Sequence, residues 1–192
     1  MKRDIIFVLV AIIALFVFVG GGLAIWYIST RNDIIRLDET INGAMSEIDN
    51  QLQRRNDLIP NLVNTVRGYA AHEHGVFSDI ADARSRLAGA RTVEEKSAGY
   101  NEMQSALSRL MVIVEQYPTL QANRNFIALQ DELAGTENRL SVARRRYNES
   151  VRSFNVRIRA FPGSVVAGNM GFTQRAYFEI AETARQAPQV NF

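Results

Sequence analysis

The chain has no cysteine, so disulfides, thiolate zinc centres and lipid-modified cysteines are excluded, and cysteine usage says nothing about redox compartment. Lysine is nearly as scarce. Lys2 and Lys96 are the only two, and although arginine supplies the remaining positive charge, the formal net charge is only +2 over 192 residues. That balance argues against a general polyanion binder, and no nucleic-acid partner is expected. With 47% apolar residues, 22% charged residues and four prolines, the chain has material for one membrane element and one compact domain, and does not read as a disordered tail.

Charge is missing altogether from Ile5 to Ile28, a stretch of 24 residues. At about 1.5 Å per residue this spans the ~30 Å hydrocarbon core of a bilayer with some tilt. Lys2 and Arg3 flank one end, and Trp26 and Tyr27 sit at the other as interfacial aromatics do. The small-x-small stretch Gly22–Ala24 would suit a cleaved signal; the expectation is an uncleaved anchor, residues 1–29. Lys2 and Arg3 against Arg31 and Arg36 leave the positive-inside comparison nearly tied. Gly20, Gly21, Gly22 and Ala24 form a small-residue surface through which membrane helices can approach closely and self-associate.

Beyond Thr30 apolar residues recur in alternating steps of four and three. One run is Ile41, Met45, Ile48, Leu52, Ile59, Leu62, Val66, Tyr69, Val76, Ile80, Ala83 and Leu87, skipping positions 55 and 73. A second runs from Tyr100 to Tyr117 and stops at Pro118, and a third from Phe126 to Phe161. This 3.5-residue repeat, with no convincing strand, predicts an all-α domain over residues 30–161. A break at Gly75 would leave arms of roughly equal length, 30–73 and 119–161, each about 65 Å as a helix. With 76–90 and 93–116 between them, the result is a long up-and-down antiparallel four-helix bundle. A single helix from 30 to 90 is the competing arrangement.

Charge supports the antiparallel pairing. Asp33, Asp38, Glu39, Glu47 and Asp49 open the first arm, while Arg144, Arg145, Arg146, Arg152, Arg157 and Arg159 close the last. Exposed pairs of this kind choose orientation more than they add stability, at ~0–1 kcal/mol each. The alternative for these arginines is contact with anionic headgroups.

The stretch QRRNDLIPNLVN, residues 53–64, places charge and proline inside the first helix. Pro60 lacks an N–H, so the carbonyl of Asn56 loses its helical donor and a kink is expected. Arg55 occupies a seam position and needs a carboxylate or carbonyl partner there. With Asp57, Asn61 and Asn64 nearby, the cluster reads as a satisfied polar joint rather than an active site.

Other chemistry finds no motif. His72, Glu73 and His74 are adjacent and so point about 100° apart on a helix, and the Glu-x-x-His of di-iron bundles is absent. Glu73 is expected to act structurally, beside Arg67 or at a helix end. Neither a nucleophile elbow nor a phosphate loop occurs. No catalytic residue, metal, cofactor or small-molecule substrate is expected.

Two stretches, IDNQLQRRNDLIPNLVNTVRGYAAHE (residues 48–73) and YNESVRSFNVRIRAFPGSVVAG (residues 147–168), resemble the signatures of the LemA family of bacterial membrane-anchored proteins. The family pattern falls on Ile48, Asp49, Gln51, Leu52, Arg54, Arg55, residues 57–63 including Asp57, Pro60 and Asn61, residues 68–70 including Tyr69, His72 and Glu73. In the second stretch it falls on Tyr147, Asn148, Phe154, Asn155, Phe161 and Pro162. Met45 and Asn56 depart from it, where the family usually has tryptophan and often histidine. The resemblance implies a four-helix bundle on a membrane anchor, with no established enzymatic activity. It also implies a single-pass protein of the inner membrane with its bundle on the periplasmic side.

Pro162 and Gly163 should end the last helix. The tail, 162–192, keeps Phe172, Tyr177, Phe178 and Phe192, too many aromatics for a solvated linker. It is expected to pack on its own bundle, with a neighbouring subunit or the membrane surface as alternatives. Two functions follow: a membrane-anchored scaffold that self-assembles into a homo-oligomer and presents a surface to other envelope proteins, or an accessory or sensor subunit of a membrane protease or transport system.

Overall fold

A computed structural model of the chain describes residues 2–70 and 72–179, all helix, turn or extended chain without a strand. α1 (Lys2–Arg67) runs unbroken through the apolar segment and through Pro60. It is followed by α2 (His74–Gly89), α3 (Val93–Val114), a single turn α4 (Pro118–Gln121), α5 (Arg124–Arg159) and a short α6 (Gly163–Met170). The described residues divide into two compact units, one drawn from residues 2–41 and 152–175, the other from 42–70, 72–151 and 176–179.

In the larger unit the topology can be read from residue pairs. Gln51 with Arg139, Arg54 with Glu132 and Tyr69 with Asn123 set α1 antiparallel to α5. Asp79 with Arg109 and Arg86 with Glu102 do the same for α2 and α3. Asp49 with Lys96 and Arg55 with Gln104 make α3 parallel to α1. Four helical segments therefore alternate up and down. The heptad residues form the core: Ile59, Leu62, Val66, Ile80, Met103, Leu110, Phe126 and Leu133 are buried together. Gly99 permits the tight approach of α3 to α2, since a Cβ there would lie 3.1 Å from the Leu87 Cα. Thr92 and Glu95 close a capping box that starts α3. Two backbone N–H groups donate to the Glu95 carboxylate, holding its carboxyl below the usual range.

The first break falls earlier than Gly75. α1 ends at Arg67, the turn begins at Gly68, and Gly75 lies in the first turn of α2. Tyr69 and Ala70 both donate to the Val66 carbonyl, which closes α1 before the turn. Tyr69 is consequently exposed rather than in the seam, and Phe77 takes a core position that the heptad pattern assigned to Val76.

In the smaller unit Asp33 meets Arg157 at 3.4 Å, setting α1 antiparallel to α5 there as well. Ile34, Ile41, Phe154, Ile158, Val166 and Ala167 are buried. Asp38 and Asp49, expected opposite the arginines of α5, pair instead with Arg175 and Lys96. α5 stops at Arg159, so Phe161 is not the last seam residue but is 82% exposed. The chain then turns into α6 instead of ending as helix. At its start Gly163 lies so close to the Arg157 carbonyl that any Cβ would overlap it.

Candidate functional site

Two constellations use the residues of the signature stretches, and both face inward. The first surrounds Arg55. Its side chain, 6% exposed, ion-pairs with Glu137 of α5 and hydrogen-bonds Gln104 of α3. Tyr100 Oη donates to the other oxygen of Glu137 at 2.5 Å, and Arg144 Nη2 approaches that oxygen at 3.9 Å. Both guanidinium groups lie over the Tyr100 ring, with Cζ at 5.6 Å for Arg55 and 5.2 Å for Arg144. Burial, reinforced by the hydrogen bond to the Glu137 carboxylate, pushes the Tyr100 hydroxyl well above its ordinary pKa. One carboxylate thus serves two buried arginines. The arrangement is underpaired: Arg55 Nε, Arg144 Nε and Arg144 Nη1 make no hydrogen bond. Such a layer carries a desolvation cost that its hydrogen bonds only partly offset.

Arg54 is exposed and pairs with Glu132 at 2.6 Å. Asp57 accepts from Gln53 on its own helix, and the Asn61 carbonyl accepts from Thr65. The carbonyl of Asn56, freed by Pro60, accepts from Arg84 Nε at 3.2 Å. The Tyr69 hydroxyl accepts from Asn123. Glu73 stands at the helix end, at the N-cap of α2 without a side-chain capping bond, and Arg67 lies over the Phe77 ring. His72, Glu73 and His74 thus belong to a turn and a helix start. Among the described residues, no group of three or more His, Asp or Glu side chains is placed to hold a metal.

The second constellation holds the extended segment after α6. In the larger unit, Asn148 accepts from the Phe178 N–H and donates to the Phe178 carbonyl, at 2.9 and 3.1 Å. Tyr147 Oη donates to the Ala176 carbonyl, Ser97 Oγ donates to that of Glu179, and the Phe178 ring meets Tyr100 edge-on. In the smaller unit, Asn155 makes the same paired contact with the backbone of Arg175, at 2.9 Å each way. Arg175 also pairs with Asp38, and Phe154 packs edge-on against Phe172. An asparagine amide that both donates to and accepts from one residue's backbone does what a neighbouring strand would do. The rest of the tail, including Phe192, lies outside the described residues.

Pro162 stands at the N-cap position of α6 without a side-chain capping bond, and Phe161 before it is exposed. Gly20, Gly21 and Gly22 lie within the apolar part of α1, and a Cβ added at any of them would meet nothing within 4 Å; Ala24 is exposed beside them. An open groove of about 250 Å³ runs beside Arg55 and Glu137, with Leu62, Leu107, Met111 and Leu133 as apolar walls. Sequence reasoning located Arg55 by its interruption of the seam but missed Tyr100, Gln104, Glu137 and Arg144 as its surroundings.

An all-α protein with, among the described residues, one helix long and apolar enough to cross a bilayer and a polar layer buried in its bundle is the class these observations define. A family model described as the LemA family matches residues 44–192, and the chain belongs to that family. It is 29% identical over 173 residues to Magnetosome protein MamQ of Magnetospirillum gryphiswaldense, covering 77% of this chain and 64% of that protein. Magnetosome protein MamQ 2 of Paramagnetospirillum magneticum is 26% identical over 177 residues with the same coverage. Protein LemA of Metamycoplasma hominis is 27% identical over 178 residues, covering 90% of this chain and 80% of that one. The chain therefore spans about 64% of the length of the MamQ proteins it matches.

Proposed function

We propose that the protein is a non-enzymatic, single-pass scaffold of the bacterial envelope, anchored in the cytoplasmic membrane by α1, with its bundle on the periplasmic side, and that it self-assembles into a homo-oligomer. The observation that carries this reading is where the signature residues point. Arg55 is spent on a buried joint, and Tyr147, Asn148, Phe154 and Asn155 hold the chain's own C-terminal segment. Arg55, Tyr147, Phe154 and Asn155 are buried and Asn148 is half-buried. The unencumbered small-residue surface at Gly20–Gly22 supports association within the membrane. Mass measurement after extraction of the full chain in mild detergent tests the proposal. A defined homo-oligomer agrees with it. A monomer that co-purifies stoichiometrically with a membrane protease or transporter would replace it with the accessory-subunit reading.

A further inference from the structure

The smaller unit places an apolar turn level with the edge of the apolar segment. Within it, α1 and α5 are antiparallel, and Asp33 meets Arg157 at 3.4 Å. Both helices rise about 1.5 Å per residue, so two residues onward Arg159 stands level with Arg31. α5 ends there, and Phe161 follows in the turn just beyond it, close to the height of Ser29, the residue after the apolar run Ile5–Ile28. Burial on α1 begins at this height: Ile28 is exposed, Thr30 and Ile34 are buried.

The turn has the composition of an interfacial element. Phe161 is 82% exposed and Val165, on the outer side of α6, is 52% exposed, whereas Val166 and Ala167 on its inner side are buried. From Ala160 to Gln174 there is no charged residue, and arginines stand at both ends, Arg159 and Arg175. The close seat of Gly163 on the Arg157 carbonyl holds the turn against the end of α5. A large exposed aromatic two residues from an arginine, in the turn that closes α5 near the end of a hydrocarbon-length segment, lies within reach of the headgroup layer that adds roughly 5–7 Å on each side of the core.

We infer that the turn Ala160–Gly163 and the outer face of α6 form a second membrane contact, in which Phe161 and Val165 enter the interfacial layer and Arg159 and Arg31 meet anionic headgroups. The occupant of this apolar face is the bilayer rather than a second copy, because the face is continuous in height with the membrane-crossing segment and is fringed by cations. The anchor fixes the depth of the turn, and the turn limits the tilt and rotation of the anchor. This inference rests on the reading of α1 as a membrane span.

The chain contains one tryptophan, Trp26, which reports on the anchor by itself. The full chain is reconstituted into phosphatidylcholine–phosphatidylglycerol vesicles, as wild type and as the double variant Trp26→Phe, Phe161→Trp. Emission is recorded with nitroxide-labelled lipids and with aqueous acrylamide, after circular dichroism has shown equal helicity. The expected result is a blue-shifted emission from position 161. It should be quenched most by nitroxides near the headgroup and lose that shift when Val165→Asp is added. Solvent-like emission without lipid quenching overturns the inference, as does shielding from both quenchers, which would mean that protein covers the turn. If Trp26 in the wild type also escapes lipid quenching, the anchor reading fails as well, so the two failures are distinguishable.

Discussion

The backbone carbonyl of Asn56 accepts the Nε–H of Arg84 at 3.2 Å. Pro60 deprived that carbonyl of its helical donor, and a side chain from α2 replaces the missing N–H. A charged donor to a largely buried acceptor contributes about 1.5–3 kcal/mol, so Arg84→Met should destabilise by that order. Pro60→Ala restores a helical N–H to the same carbonyl. In that background Arg84→Met should cost less than half as much. Thermal unfolding of the four chains of this double-mutant cycle, in detergent, measures the coupling; equal costs in both backgrounds would dissociate Arg84 from the proline.

Among the described residues, Glu137 supplies the one negative charge that ion-pairs with Arg55 and Arg144. Removing it leaves two guanidinium groups buried without a counter-charge, a change that typically costs about 3–5 kcal/mol. Glu137→Ala should therefore lower the melting temperature sharply. Arg54→Ala, breaking the exposed pair with Glu132, should change stability by only ~0–1 kcal/mol. Comparable losses from the two substitutions would contradict the layer's role.

These two sites show what the sequence discloses and what it withholds. The orphaned Asn56 carbonyl is legible because it follows from one residue four positions away. Arg84 is not, since its partner lies on another helix and no periodicity links the two. Arg55 betrays itself by interrupting a seam, whereas Glu137 sits beside the seam residue Thr136 and looks like any polar flank position. The heptad spacing gave the core but not the end of α1, because the repeat continues in phase across Gly68–Glu73 while the backbone does not. The exposure of Phe161 was hidden for the same reason: the pattern continues two residues past the last helical one.

Tyr100 gives the layer a pH dependence. Its folded pKa is raised above the ordinary value of 10, so the stabilisation linked to the protonated hydroxyl is fully present below pH 10. It is lost as the pH rises beyond 10, where the unfolded chain releases the proton and the folded one retains it. Tyr100→Phe should lower stability by about 1 kcal/mol at pH 7 through the lost hydrogen bond to Glu137. The gap between wild type and variant should then narrow from pH 9 to pH 11. Melting temperatures across that range check the sign, and a widening gap would refute it.

Arg175 is held at three points within its unit: Asn155 takes both its N–H and its carbonyl, and Asp38 takes its guanidinium. A protease must bind the backbone of its substrate in extended form, which requires the same N–H and carbonyl groups that Asn155 occupies. Trypsin should therefore cut after Arg175 slowly in the native chain, in proportion to how often the segment detaches. Asn155→Ala removes two neutral hydrogen bonds of about 1 kcal/mol each, which should raise the detached population and the cleavage rate by about tenfold or more. Cleavage after exposed arginines of α5 such as Arg145 should respond far less, because detachment of the segment leaves that helix intact. Mass spectrometry of timed digests reads both sites in one sample. Equal rates at Arg175 in wild type and variant would mean that the asparagine lies beside the segment without holding it.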